Sequence, residues 1–244
     1  MKTRILILII LTLVFFGCSK SVDTYYKNGN INSSITYLDL KDSLRNGPAK
    51  WWYENGQLEA EVNYINGYED GIRKYYYSNG QIKELLHFTV GKINGLRQLW
   101  YENGQKMEET EYLNDSTNGK HIAWYSNGNK MQNAFYKNGK LNSLSKAWHD
   151  NGNIETIGKY INGESDSTWM SWYPNGQKRT DCYYKEAKRN GLFTEWYENG
   201  KILAQGNYLN GVETGIWKFW YDNGEKEFEG YYQMRKKIKT GNTH

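Results

Sequence analysis

A fixed period constrains this chain more than anything else in it. An aromatic pair followed by x-Asn-Gly recurs from Tyr25-Tyr26-Lys27-Asn28-Gly29, through Trp52-Tyr53-Glu54-Asn55-Gly56, to Trp220-Tyr221-Asp222-Asn223-Gly224. Its glycines are residues 29, 56, 80, 104, 128, 152, 176, 200 and 224, so every interval after the first is 24 residues. Tyr37, Tyr64, Phe88, Tyr112, Tyr136, Tyr160, Tyr184, Tyr208 and Tyr232 keep the same step, each eight residues after one of these glycines. A second turn signal stands at Asn66-Gly67, Asn138-Gly139, Asn162-Gly163 and Asn210-Gly211, and degrades to Val90-Gly91, Asn114-Asp115 and Glu186-Ala187. A third glycine column holds Gly47, Gly71, Gly95, Gly119, Gly191 and Gly215, with Ser143 and Ser167 as exceptions. No room is left for a separate catalytic domain. Each copy is a single unit that buries its surface against its neighbours.

Twenty-four residues with two turn signals and runs rich in Tyr, Trp and Ile predict one β-hairpin plus its connection. In Tyr173-Pro174-Asn175-Gly176-Gln177 the proline suits position i+1 of a type I turn, and the glycine supplies the left-handed residue that closes a three-residue loop. That loop sets Tyr53 against Gln57 and Trp52 against Leu58. Period-two alternation then places Trp52, Leu58, Ala60, Val62 and Tyr64 on one face, and Tyr53, Gln57, Glu59, Glu61 and Asn63 on the other. The expected fold is all-β: an elongated antiparallel meander of tandem 24-residue hairpins, extending roughly 77 Å at about 4.8 Å per strand.

The pattern Gly-x-x-x-x-Trp-Tyr-x-Asn-Gly-Gln followed by Tyr-x-Asn-Gly resembles the MORN repeat in its longer bacterial variant, across residues 24–232 in about eight or nine copies. The resemblance implies a single-layered twisted β-sheet used for binding. Chains of this build are also similar to antitoxin components of the YwqK type, which implies a toxin as partner.

The N-terminus reads as an address. Lys2 and Arg4 precede a mostly aliphatic run from Ile5 to Phe16, too short for a spanning helix and suited to a signal peptide over residues 1–17. Phe15-Phe16-Gly17-Cys18-Ser19 resembles a bacterial lipobox, although Phe16 stands where a small residue is usual. It implies lipidation at Cys18, a short linker over residues 18–23, and a cell-envelope destination, favouring the outer membrane. A polar basic tail, residues 233–244, closes the chain. The overall charge of +4 resides at the two ends: with Lys2, Arg4, Arg235, Lys236, Lys237 and Lys239 set aside, 25 basic side chains face 27 acidic ones. A nucleic-acid role therefore lacks an electrostatic footing.

Catalytic constellations are absent from the sequence, and no enzyme, metal or cofactor is expected. His87, His121, His149 and His244 are scattered across different columns. Cys182 stands in a small or apolar column and reads as a packed thiol. Glu54, Glu102, Asp150, Glu198 and Asp222, at the hairpin tips, are too far apart to share an ion. Aromatic columns are what remains. Trp52, Trp100, Trp124, Trp148, Trp172, Trp196 and Trp220 form one, expected as a packing ladder between hairpins. Tyr53, Tyr77, Tyr101, Tyr125, Tyr173, Tyr197 and Tyr221 form the other. A single layer cannot bury both faces, so these tyrosines are the candidate partner-binding strip. The expected function is an exported, lipid-anchored protein that binds a protein partner, with an envelope glycan-binding module or a purely structural spacer as alternatives.

Overall fold

The computed structural model describes residues 19–39, 41, 43–233 and 236–238; the signal segment, Cys18 and His244 lie outside them. Among the described residues there is no helix, and all 22 strand segments belong to one antiparallel sheet. Each strand pairs with its sequence neighbours, as Leu58–Ile65 does with Leu44–Trp52 on one side and Tyr68–Tyr76 on the other. Short segments at Lys92–Ile93, Lys140–Leu141 and Lys188–Arg189 are the outer ends of the strands that follow them. The expected antiparallel meander is the fold of this chain. It also runs past the expected repeat boundaries. Lys20–Tyr25 pairs with Ile31–Asp39, setting Val22 against Ile35, and Lys236–Ile238 pairs with Tyr231–Gln233. Strand pairing needs backbone rather than the aromatic motif, so part of the linker and part of the tail join the sheet.

Both turns are set by backbone chemistry. At the first, the Tyr53 N–H donates to the Gln57 carbonyl at 2.8 Å, the Gly56 N–H donates back to the Tyr53 carbonyl at 2.9 Å, and Gly56 takes φ 87°. This is the three-residue loop, repeated at every tip. The second turn is a two-residue loop with both residues at positive φ, as in Asn66 (49°) and Gly67 (84°). That geometry matches the right-handed strand twist and favours Asn-Gly. Where the sequence degrades, the conformation does not: Val90 is held at 49°, and Glu186 and Ala187 at 51° and 61°.

Next to every first turn lies a feature that alternation alone misses. Trp52 pairs with Leu58 but Trp51 pairs with Ala60, so Glu59 has no partner. The same one-residue bulge follows Leu99, Ala123, Ala147, Ser171, Glu195 and Phe219. An extra residue on one strand turns over everything beyond it. The expected faces are therefore corrected: Trp52 and Leu58 lie on the face of Lys50 and Glu61, while Tyr53 goes to the side of Ala60, Val62 and Tyr64.

Cross-strand pairing places every buried hydrophobic residue on that second face, from Ala49, Ala60 and Val62 through Leu86, Ala123 and Ala134 to Cys182, Phe193, Ala204 and Trp217. Packing is densest toward the C-terminus, where Trp217, 2% exposed, contacts Phe193, Tyr208 and Phe219. A Cβ on Gly206 would lie 2.1 Å from the Trp217 indole, so this column must be small opposite a tryptophan. Tyr64 stands across from Gly47 and Tyr208 across from Gly191, glycines with φ 117° and 96°.

A β-branched residue in the left-handed region is strained by roughly 1–2 kcal/mol, whereas Asn visits it readily. Val90→Asn is therefore expected to stabilise the protein by about 1 kcal/mol. It should read as a higher urea midpoint at unchanged m-value, and an unchanged midpoint would show that the turn carries no strain.

Candidate binding face

Hairpin tips are joined by a ladder that runs from each repeat to the next. The Tyr53 hydroxyl donates to the Tyr76 carbonyl at 2.7 Å, Tyr77 to Trp100, Tyr101 to Trp124, Tyr125 to Trp148, Tyr173 to Trp196 and Tyr197 to Trp220. His149 fills the one tip that lacks a tyrosine, donating from Nε2 to the Trp172 carbonyl at 2.9 Å. Asparagine adds a parallel rail. The Asn103 Oδ1 accepts the Gln105 N–H, which shapes its own turn, and its Nδ2 donates to the Ser126 carbonyl of the next. Asn127, Asn151, Asn175 and Asn199 repeat both bonds. Desolvation raises the pKa of Tyr53, Tyr77 and Tyr125, with Glu59, Glu102 and Glu155 adding to the effect, so these hydroxyls stay protonated donors.

The tyrosine column is thus half-buried at one rim, and six of its seven hydroxyls are committed to the adjacent repeat. Only Tyr221, at the last tip, has no such acceptor among the described residues, and it is 48% exposed. For a partner, the other six offer ring edges alone. Acidic tips at Glu54, Glu102, Asp150, Glu198 and Asp222 are solvated, and no cluster of three or more metal-ligating side chains occurs among the described residues. His87 meets the Leu96 carbonyl, and His121 meets the Thr110 hydroxyl, whose own proton is donated to Glu108. Cys182 is buried, a free thiol against the Trp169 carbonyl, and burial raises its pKa.

The opposite face stays wet, and its side chains fall into three stripes across the strands. Nearest the tips runs the tryptophan column, half-buried and interleaved with lysine: the Lys106 Nζ lies 5.9 Å from the Trp124 ring and the Lys178 Nζ 5.4 Å from the Trp196 ring. The middle stripe carries ion pairs, Lys50 and Lys74 on Glu61, Lys106 on Glu109, Lys178 on Asp181 and Lys226 on Glu229. Burial pushes the Glu61 carboxyl up, but hydrogen bonds from Lys74 and Tyr76 outweigh it and hold the value low; Lys106 does the same for Glu109. Their contribution is complete above the ordinary carboxylate range and is lost as the pH falls through the lowered folded values. The outer stripe is apolar and exposed: Ile72, Leu144, Leu192 and Ile216, joined by Phe135, Tyr183 and Tyr231.

A shallow trough of about 390 Å³ opens here between Thr168, Asp181, Tyr183, Leu192 and Trp196. Another, of about 380 Å³, lies between Pro48, Lys50, Glu61, Asn63 and Ile72. The two occupy the same columns five repeats apart. The apolar stripe escapes a reading that looks for aromatics. Its signal is the column Ile72, Leu96, Leu144, Leu192 and Ile216, which alternation places opposite the glycine-lined face.

A protein-family model described as "MORN repeat variant" matches residues 45–66, 69–89, 93–114, 166–186, 189–210 and 213–234, together more than half of the chain. No curated protein matches it. Residues 115–165, between the third and fourth matches, form the same hairpins.

Each rung has a measurable worth. Tyr101→Phe is expected to cost about 1 kcal/mol, the usual net value of one intramolecular hydrogen bond. Tyr221→Phe, with no rung to lose, should cost close to nothing. Thermal or urea unfolding of the two variants decides, and equal costs would dissolve the ladder as a stabilising element.

Proposed function

The chain belongs to the MORN repeat variant family, and from that premise we propose that it is an exported, lipid-anchored repeat protein whose wet face binds a protein partner. The observation that carries this reading is the division of the sheet: every buried hydrophobic among the described residues lies on one face, and the other exposes an aliphatic stripe beside a half-buried tryptophan column. Leu192 is 56% exposed and Ile216 53%, side chains that water covers at a cost and a partner relieves. A second support is rigidity. A face built from a hydrogen-bonded sheet and laddered tips is pre-formed, so binding costs little ordering entropy. No cluster of three or more metal-ligating side chains among the described residues competes for this surface.

The partner suggested by the finer resemblance is a toxin that this protein neutralises, with the tyrosine column bordering the contact through its ring edges. An envelope glycan stacked on the tryptophan column, or a spacer with no ligand, stands as the competing outcome. Capture of envelope proteins on the immobilised chain, repeated with Leu192→Glu and Ile216→Glu together, tests the reading. The double variant should keep its melting temperature and lose the captured protein. Retention of the same protein would overturn the choice of face, and binding of peptidoglycan fragments alone would favour the glycan.

The anchor is tested separately. Lipidation at Cys18 predicts that inhibition of lipoprotein signal peptidase accumulates a heavier precursor, and that Cys18→Ala releases the protein from the membrane fraction. An unchanged fractionation would remove the lipid.

A further inference from the structure

The wet face is not uniform along the sheet. In the middle stripe a carboxylate accompanies the lysines at Glu61, Glu109, Asp181 and Glu229. At the other four repeats the same column holds Leu85, Asn133, Ile157 and Gln205, and Asn133 and Ile157 are the adjacent pair at the centre. Lys146 alone among the lysines of its column has a carboxylate on neither neighbouring strand, since Lys50 and Lys74 face Glu61 and Lys218 faces Glu229, while Lys159, farther out, stands across from Asp166 without an ion pair. Lys120 sits across from Phe135, Lys130 across from Trp124, Lys146 between Asn133 and Ile157, and Lys159 across from Leu144. Lys120, Lys130 and Lys159 are exposed and Lys146 half-exposed, and none of the four is in an ion pair. Glu111, on the preceding strand, turns its carboxylate onto the Lys120 backbone N–H. Lys137 and Lys140 face each other directly across the hairpin at the margin, a like-charge pair that costs stability.

These lysines lie within residues 115–165, the stretch that keeps the hairpins yet goes unmatched by the repeat-family model that matches both flanks. The backbone of the repeat is retained here, while Lys146 has lost the carboxylates that flank its counterparts in the other repeats. We propose that the central wet face is an anion-binding patch that takes an acidic extended segment of a protein partner, its carboxylates on Lys120, Lys146 and Lys159 and its apolar side chains on Phe135 and Leu144.

The spacing fits that occupant. Lys120 and Lys146 are two strands apart and staggered by two residues, about 12 Å, and Lys146 and Lys159 are diagonal neighbours, about 7–8 Å apart. Alternate residues of an extended peptide are about 6.6 Å apart, within the reach of lysine stems that swing by a few ångströms. Exposed Phe135 and Leu144 set among the lysines suit a chain with alternating acidic and apolar side chains. A duplex nucleic acid would need more phosphate contacts than this patch offers, since six to ten are typical of tight binding.

The proposal rests on the wet-face reading but is separable from it. A labelled peptide of alternating Glu and Val is titrated into the full chain at low salt, with fluorescence anisotropy as the readout. It should bind, weaken as salt rises, and bind at least tenfold more weakly to Lys120→Glu/Lys146→Glu/Lys159→Glu. Lys92→Glu/Lys185→Glu/Lys188→Glu changes the net charge equally at the far rim and should leave binding unaltered; far-ultraviolet circular dichroism checks that both variants are folded. Equal weakening by the two triple variants would reduce the effect to net charge and overturn the patch. So would absence of binding by the unaltered chain, or binding of phosphatidylglycerol vesicles in place of the peptide. If Leu192→Glu/Ile216→Glu leaves partner capture intact while the central triple variant abolishes peptide binding, the broader face fails and the patch stands.

Discussion

The structure depends on hydrogen bonds that cross from one repeat to the next at the hairpin tips. A single β-hairpin is marginal in water. What lets such units persist side by side is that each tip completes its neighbour. Tyrosine or histidine closes onto the carbonyl of the aromatic residue one repeat ahead, and asparagine shapes its own turn while gripping the following one. The recurring Tyr-x-Asn-Gly motif thereby explains itself residue by residue. Tyrosine supplies a donor with enough reach, asparagine supplies an acceptor and a donor on one short arm, and glycine takes the positive φ that the loop requires. His149 obeys the same rule with different atoms: its ring nitrogen reaches where a phenol otherwise would.

From the tips, order passes into the sheet through the one-residue bulge. Without it the tryptophans would share a face with Ala60, Val62 and Tyr64, and would crowd the same narrow interior. With it, the interior receives small residues beneath tyrosines and, toward the C-terminus, Trp169, Phe193 and Trp217. Tryptophans at the tips go outward beside lysines. A bulge in every copy therefore sorts the side chains into a packed face and an open one.

Much of this is legible from periodicity. The 24-residue step, the three-residue loop and the pairing of Trp52 with Leu58 all follow from local turn chemistry and are present. What alternation misreads is the facing of Trp52 and Tyr53, because an unpaired Glu59 leaves no mark on composition and counts as an ordinary strand residue. The role of the tyrosine hydroxyls is hidden for a related reason: their acceptors are backbone carbonyls, which no side-chain pattern records. Cys182 is readable as packed because its column is small or apolar throughout. The apolar outer stripe is concealed by modest residues, Ile72, Leu144 and Ile216, that draw less attention than a row of tryptophans.

The ladder runs along the stack, across the strands, and that sets how the stack would take a load. A pull on the two ends of the stack would act across the strands, so that the terminal hairpins bear the force while those between are spared. Such a chain lengthens by peeling. Each 24-residue copy that lets go frees about 80 Å of chain at roughly 3.3 Å per residue. The neighbour it exposes meets the load with its own turns and its next rungs intact. Tension across the stack would be absorbed in equal steps, and the repeats in the middle would be the last to yield.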